Sequence, residues 1–212
     1  MAARTSITIL FHVLLLSSKL QPSKTQNWIQ AGYWYSGSEY PVSGIDSALF
    51  THLLCAFAYI NSSTYELFIS SDDEQSFSTF TATVRQRNPA IITLLSIGGG
   101  SFDPTIFSSM ANTSSHRKSF IDSSIRTARL YGFQGLDLMW VSPETIPDMT
   151  NLGTLIQEWR EATEAEAAKN ATSGLPPLLL TAAVEIFPII YSATYPVNSM
   201  EKNLNWVNVM AL

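Results

Sequence analysis

Six short apolar runs, separated by stretches of helical periodicity, constrain the fold of this chain more than any other feature. They cover residues 29–35, 51–60, 91–97, 135–141, 178–184 and 206–211. Each is continuous in its apolar character rather than alternating, which is the pattern of strands buried on both faces. Between them, Phe77, Phe80 and Val84 recur at helical spacing before Asn88-Pro89 stops the turn. Ser115 is placed to cap a helix running to Leu130, with Phe120, Ile121, Ile125 and Ala128 on one face and Gly132 as terminator. Leu152, Leu155, Ile156, Trp159, Thr163 and Ala167 build a third helical face. Strand, helix and strand in regular succession predict an α/β chain of parallel βα units.

Two architectures share that alternation: an open doubly wound sheet and a closed eight-stranded barrel. No Gly-rich phosphate loop opens a helix after the first run, which counts against a nucleotide-binding sheet. A barrel needs eight strands and typically about 250 residues. Here six strands are expected, and the sequence of 212 residues stops inside the sixth. Periodicity leaves the two open.

The first residues belong to neither pattern. Arg4 supplies a positive start, residues 6–16 (SITILFHVLLL) form an apolar run too short to span a bilayer, and a polar stretch follows. Residues 1–26 are therefore expected to be a signal peptide, cleaved between Ser18 and Gln26, and residues 27–212 a single exported domain. The localisation implied is secreted or extracellular. Charged residues are few and the net charge is −5, so there is no basic field for nucleic acid or an anionic membrane. No later segment is apolar enough to be transmembrane. Cys55, the only cysteine, sits inside FTHLLCAFAYI and reads as a small buried hydrophobe. Asn61, Asn112 and Asn170 each open an Asn-x-Ser/Thr glycosylation pattern. The reading includes no metal and no cofactor.

Four segments carry a family likeness. Residues 31–60 read AGYWYSGSEYPVSGIDSALFTHLLCAFAYI, residues 94–100 LLSIGGG, residues 132–143 GFQGLDLMWVSP and residues 204–211 LNWVNVMA. In this order and spacing they resemble the family 18 glycoside hydrolases, most closely the plant class V chitinases. The resemblance implies the TIM (β/α)8-barrel fold, with only about the first six βα units present and the site at the carboxyl ends of the strands. It also implies substrate-assisted retention: a Glu ending the fourth barrel strand protonates the glycosidic oxygen, and the Asp two residues earlier orients the acetamido group that attacks.

That strand aligns without gaps with the family pattern D-x-x-D-x-D-x-E, but the acids are largely gone. Gln134 holds the first acid position, Asp137 the second, Met139 the third and Val141 that of the catalytic Glu. Alternation along a strand points 137, 139 and 141 together into the barrel mouth, with Leu136, Leu138 and Trp140 outward. Neither Met nor Val can donate a proton, so no intact catalytic residue is expected. Glu144 lies beyond Val141 with the wrong parity, Asp148 reads as a surface-loop carboxylate, and Glu185 as a solvated strand-end charge. Asp137 must be hydrogen-bonded or protonated inside a barrel, and the resemblance puts the Tyr33 and Ser96 hydroxyls around it.

By the same resemblance, substrate-binding positions fall on Tyr33, Phe57, Ser96, Gly98, Gly99, Asp137 and Met210. Tyr33 and Tyr35 share a face, Trp34 takes the other, and Phe187 and Tyr191 extend the groove. The family's sixth strand goes on from Met-Ala to a Tyr-Asp pair, while Met210-Ala211 is followed here by Leu212. Open edges and an uncovered apolar surface are expected from six strands. The expected function is that of a chitinase-like protein that binds chitin or N-acetylglucosamine oligomers without hydrolysis. The alternatives are a chitinase with residual or altered activity, and a non-functional fragment of a longer protein such as a chitinase-related receptor kinase ectodomain.

Overall fold

The computed structural model describes residues 28–141, 143–170, 174–187, 189–190 and 193–211. The expected signal peptide, residues 1–26, and Tyr191 lie outside them. In chain order the elements are β1 (Ala31–Tyr35), β2 (His52–Ile60), β3 (Leu67–Phe68), α1 (Glu74–Arg85), β4 (Ile92–Gly98), α2 (Pro104–Asn112), α3 (Ser114–Leu130) and β5 (Gly135–Met139). There follow α4 (Ile146–Lys169), β6 (Leu179–Glu185), β7 (Ile189–Ile190), β8 (Ala193–Thr194), α5 (Val197–Asn203) and β9 (Trp206–Met210).

Six strands run parallel in the order β1-β2-β4-β5-β6-β9, with β3 antiparallel on β2 and β7 pairing β8 in a separate hairpin. The order follows the chain, as it does when each βα unit adds a strand beside the last. These six strands are the six expected, with boundaries shifted by up to two residues. β5 ends at Met139, so Val141 lies beyond the paired strand. The short strands β3, β7 and β8 and the helices α2 and α5 had no counterpart in the periodicity.

Alternate strand residues divide the interior into two layers. Trp34, Cys55, Ile97, Leu136, Leu138 and Leu180 face outward into the core shared with α1, α3 and α4. Trp34 packs against Phe77 and Phe80, at 6.4 and 5.6 Å between ring centroids. Trp159 of α4 is fully buried, its ring 5.1 Å from that of Phe120 and its indole N–H donating to Ser124 Oγ at 3.0 Å. Cys55 is fully buried, and burial raises its thiol pKa, as suits a small hydrophobe.

Helix starts explain two departures from the sequence reading. α3 begins at Ser114 after Thr113, not behind a Ser115 cap, because α2 ends one residue earlier and Thr113 is the shared hinge. α2 is set by Asp103, whose side chain accepts from Thr105 N–H at 2.9 Å, with Pro104 in the first turn. Asp148 is not a surface-loop carboxylate. Thr145 caps α4 by accepting from Asp148 N–H, and the Thr145 hydroxyl donates back to Asp148 Oδ2 at 2.7 Å, which buries Asp148 in the first turn.

Among the described residues, β1 and β9 each pair on one side only. Val207 and Val209, the outward residues of β9, are 38% and 58% exposed. Beside them an apolar groove of about 450 Å³ is lined by Val197, Met200, Leu204, Val207 and Val209, among others, with Glu185 and Glu201 also on its wall. β9 is held from behind by Arg160 of α4, which donates to Asn203 O and to Asn205 Oδ1, both at 2.8 Å.

Candidate functional site

The inward layer converges on Asp137 in the middle of β5. Its neighbours Leu136 and Leu138 point into the outer core, so the carboxylate is driven to the opposite face by strand alternation alone. It is fully buried, and four side chains donate to it. Tyr33 Oη of β1 and Ser96 Oγ of β4 donate to Oδ2 at 2.9 and 2.7 Å. Thr181 Oγ1 of β6 and Asn208 Nδ2 of β9 donate to Oδ1 at 2.6 and 3.2 Å. Asn208 Nδ2 also donates to Tyr33 Oη at 3.0 Å.

A carboxylate offers about four acceptor sites, so this one is saturated. Burial raises its pKa above the ordinary carboxylate value, against the pull of the four donors. The Tyr33 phenol is pushed up in turn, by burial first and then by the adjacent carboxylate. The Tyr33 ring is 41% exposed along the open edge of β1, while its hydroxyl reaches inward. The sequence reading placed Tyr33 and Ser96 here and missed Thr181 and Asn208. Both are polar residues at inward positions of apolar strands, in LLTAAVE and WVNVM, and that parity was the available signal.

Met139 follows Asp137 on the same face and is 8% exposed. Val141 is half-buried just past the strand end. Neither side chain carries a proton to give. Glu144 is exposed at the approach to α4. Gln134 stands apart from the inward residues: its Oε1 accepts from Thr93 N–H at 2.9 Å, and its amide N–H₂ donates to Gly132 O, so it stitches β5 to the start of β4. Among the described residues no group of three or more His, Cys, Asp or Glu side chains could hold a metal ion.

The two glycines after Ser96 are packed backbone. A Cβ on Gly98 (φ +110°) would lie 2.5 Å from Met139 O, and one on Gly99 (φ +95°) 2.8 Å from the Phe57 ring. Gly99 N–H donates to Met139 O at 3.0 Å. Phe57 thus covers Gly99, and its ring lies 6.0 Å from that of Tyr35, which is 49% exposed. Trp34 takes the opposite face of β1, as alternation required. Met210 shares the inward side of β9 with Asn208 and Trp206, and the Trp206 ring meets His52 edge-on at 4.9 Å. Phe187 is 68% exposed beyond β6. Glu185 is half-buried at the end of β6, its N–H donating to Tyr195 Oη at 3.0 Å.

Comparison with known proteins gives one consistent answer. The family model described as glycosyl hydrolases family 18 matches residues 29–212. A class V chitinase from Arabidopsis thaliana is 55% identical over 192 residues, covering 91% of this chain and 50% of that relative. The crystal structure of a mutant class V chitinase from Nicotiana tobaccum in complex with NAG4 matches at a TM-score of 0.83 and 50% identity, covering 86% of this chain and 52% of that one. The chitinase-like agglutinin RobpsCRA from Robinia pseudoacacia matches at 0.81 and 50% identity, covering 86% and 55%. The chain spans about half the length of these relatives.

Proposed function

The chain belongs to the glycosyl hydrolases of family 18, and we propose that it is an exported chitinase-like protein that binds N-acetylglucosamine oligomers without cleaving them. One observation carries this reading. β5 keeps its outward Leu136 and Leu138, and Trp140 just beyond it stays in the core, yet Met139 and Val141 stand where the family pattern needs an acetamido-orienting Asp and a proton-donating Glu. Loss of a general acid alone costs typically about 10²–10⁴ in rate. Loss of the neighbouring carboxylate also removes the partner of the cationic transition state. Asp137 cannot stand in for either, because its acceptor sites are filled.

The binding half of the proposal draws its support from two relatives, one solved with NAG4 and one an agglutinin. The rim of Tyr35 and Phe57 above Gly99 offers aromatic rings of the kind on which sugar faces stack. Export and glycosylation at Asn61, Asn112 and Asn170 belong to the same proposal, and all three asparagines are exposed.

The test is calorimetric titration of the folded chain with the N-acetylglucosamine tetramer, alongside a reducing-end assay on the same sugar. Heat of binding without release of reducing ends is expected. Turnover that disappears in Glu144→Gln would overturn the non-hydrolytic reading. A chain that unfolds cooperatively yet takes up no tetramer would overturn the binding half.

A further inference from the structure

The loop between β1 and β2 folds back over the outer side of β1 and leaves a groove of about 350 Å³ between itself and α1. Small-molecule sites typically measure about 300–1,000 Å³. β1 separates this groove from the inward layer, since Trp34 forms part of the groove wall while Tyr33, on the opposite face, reaches Asp137. From one side α1 presents Gln75, Thr79 and Thr83, each four residues from the last, with Ser76 beside them. Phe77 and Phe80 take the buried face of the same helix. From the other side the loop presents Ser36, Ser38, Tyr40 and Ser43.

Uncommitted neutral hydrogen-bonding groups are the first clue to what fits there. The Thr79 and Thr83 hydroxyls are spent on Gln75 O and Thr79 O, at 2.8 and 2.9 Å. The hydroxyls of Ser36, Ser38, Ser43 and Ser76 and the Gln75 amide bond no protein group among the described residues. Each can both donate and accept. A fixed aromatic face is the second clue. Trp34 Nε1–H donates to Tyr40 O at 2.8 Å, and Tyr40 Oη donates to Gly44 O at 2.5 Å. A Cβ on Gly44 would lie 3.1 Å from Tyr40 Cζ, so the ring is folded onto its own loop, yet it is 57% exposed. Among the described residues of the wall Glu39 alone is charged, so a phosphate or carboxylate ligand meets no cation.

We infer that this groove is a second saccharide site, outside the cleft, taking one or two neutral pyranose units with an apolar sugar face on Tyr40 and sugar hydroxyls on the serines and Gln75. The site is separate from the oligomer binding proposed for the inward face and stands whether or not that face holds sugar. With both filled, the chain is bivalent for carbohydrate.

The experiment follows backbone amides of the full chain by nuclear magnetic resonance during titration with the N-acetylglucosamine dimer, carried to about 10 mM so that a Kd of about 1 mM is resolved. Saturable shifts are expected in residues 36–43 and 75–79, independent of any at Gly98 and Gly99. Tyr40→Ala should weaken binding at the groove at least about fivefold and leave the Gly98 and Gly99 response unchanged. Ser43→Ala with Ser76→Ala keeps the ring, should weaken the groove to a similar extent, and decides the matter should Tyr40→Ala lower the urea midpoint. Absence of saturable shifts in residues 36–43 and 75–79 overturns the site, and so do shifts that glycerol reproduces at the same concentration. Groove affinity unchanged in both variants overturns it as well. Shifts at Gly98 and Gly99 alone refute the second site and leave cleft binding in place, whereas shifts at the groove alone do the reverse.

Discussion

Gly98→Ala is the substitution whose cost the packing around β4 sets most directly. The new Cβ would sit 2.5 Å from Met139 O and 2.7 and 2.8 Å from two carbons of the Phe107 ring. The carbonyl cannot retreat freely, because it accepts from Gly99 N–H at 3.0 Å. The φ of +110° is itself hostile to a side chain and costs about 1–3 kcal/mol. Overpacking adds about 1–3 kcal/mol, so a loss of about 2–6 kcal/mol is expected. Gly132→Ala is the matched control. Its φ is +73° but nothing lies within 4 Å of its Cβ, which leaves only the backbone cost of about 1–2 kcal/mol. Gly100→Ala, with open space and no positive φ, should stay within about 0.5 kcal/mol of the parent, as unconstrained surface substitutions do. Urea unfolding followed by circular dichroism ranks the three. If Gly98→Ala is no worse than Gly132→Ala, the contact with Met139 O is not what requires glycine there, and a ligand-facing role for Gly98 becomes the better account.

Asp137 gives a pH prediction. Its folded pKa lies above the unfolded value of 3.8, so its contribution to stability is complete below that value and declines as pH rises through the folded one. The stability of the parent relative to Asp137→Asn should therefore fall with pH above about 4, and a rising difference in urea midpoints would refute it. Trp159→Ala, which empties the most voluminous fully buried position among the described residues, should cost about 3–5 kcal/mol by urea unfolding. In a chimera continued by the remaining half of the Arabidopsis thaliana class V chitinase, Met139→Asp with Val141→Glu should raise tetramer hydrolysis by about 10²–10⁴. A folded but inert revertant would place the loss beyond β5. Expressed through a eukaryotic secretory pathway, the chain should shift in mass on peptide N-glycosidase treatment, one step fewer for each of Asn61→Gln, Asn112→Gln and Asn170→Gln.

The strands were legible in the sequence because a strand covered on both sides leaves an unbroken apolar run, and all six parallel strands announced themselves that way. Their ends were less so. Nothing in GLDLMWV marks Met139 as the last paired residue, since Trp140 and Val141 are as apolar as what precedes them. Asp137 was legible as a problem, a charge inside an apolar run, and half of its solution came with the resemblance through Tyr33 and Ser96. Thr181 and Asn208 lie 44 and 71 residues further on. Their inward parity could be read, but which inward residues meet depends on how far the sheet curls. The glycines were read as substrate-facing from the motif; the close approach to Met139 O exists only once β4 and β5 are side by side.

On the proposed reading, the uneven distribution of acids over residues 134–141 has a physical logic. Replacing a buried carboxylate by an apolar side chain removes a desolvation cost, and such exchanges are often neutral or stabilising by about 1–4 kcal/mol. Met139, which is buried, is a substitution of that kind relative to the family pattern. The outward face is different, since each fully buried Leu or Trp contributes on the order of 1.5–3 kcal/mol through area alone, and Leu136, Leu138 and Trp140 remain. Asp137 resembles the outward face in this respect. Removing it would leave the Ser96 and Thr181 hydroxyls, both fully buried, and the Tyr33 hydroxyl without their acceptor, while the Asn208 amide would keep Tyr33 Oη. Each stranded donor costs about 1–3 kcal/mol, together about 3–9 kcal/mol, about twice the 1–4 kcal/mol that removing a buried charge returns. On this argument Asp137→Val should be more damaging than restoring Met139→Asp, although both exchange an acid and a hydrophobe on the same strand face. If the two variants prove equally stable in urea, the four donors are not what keeps Asp137 in place.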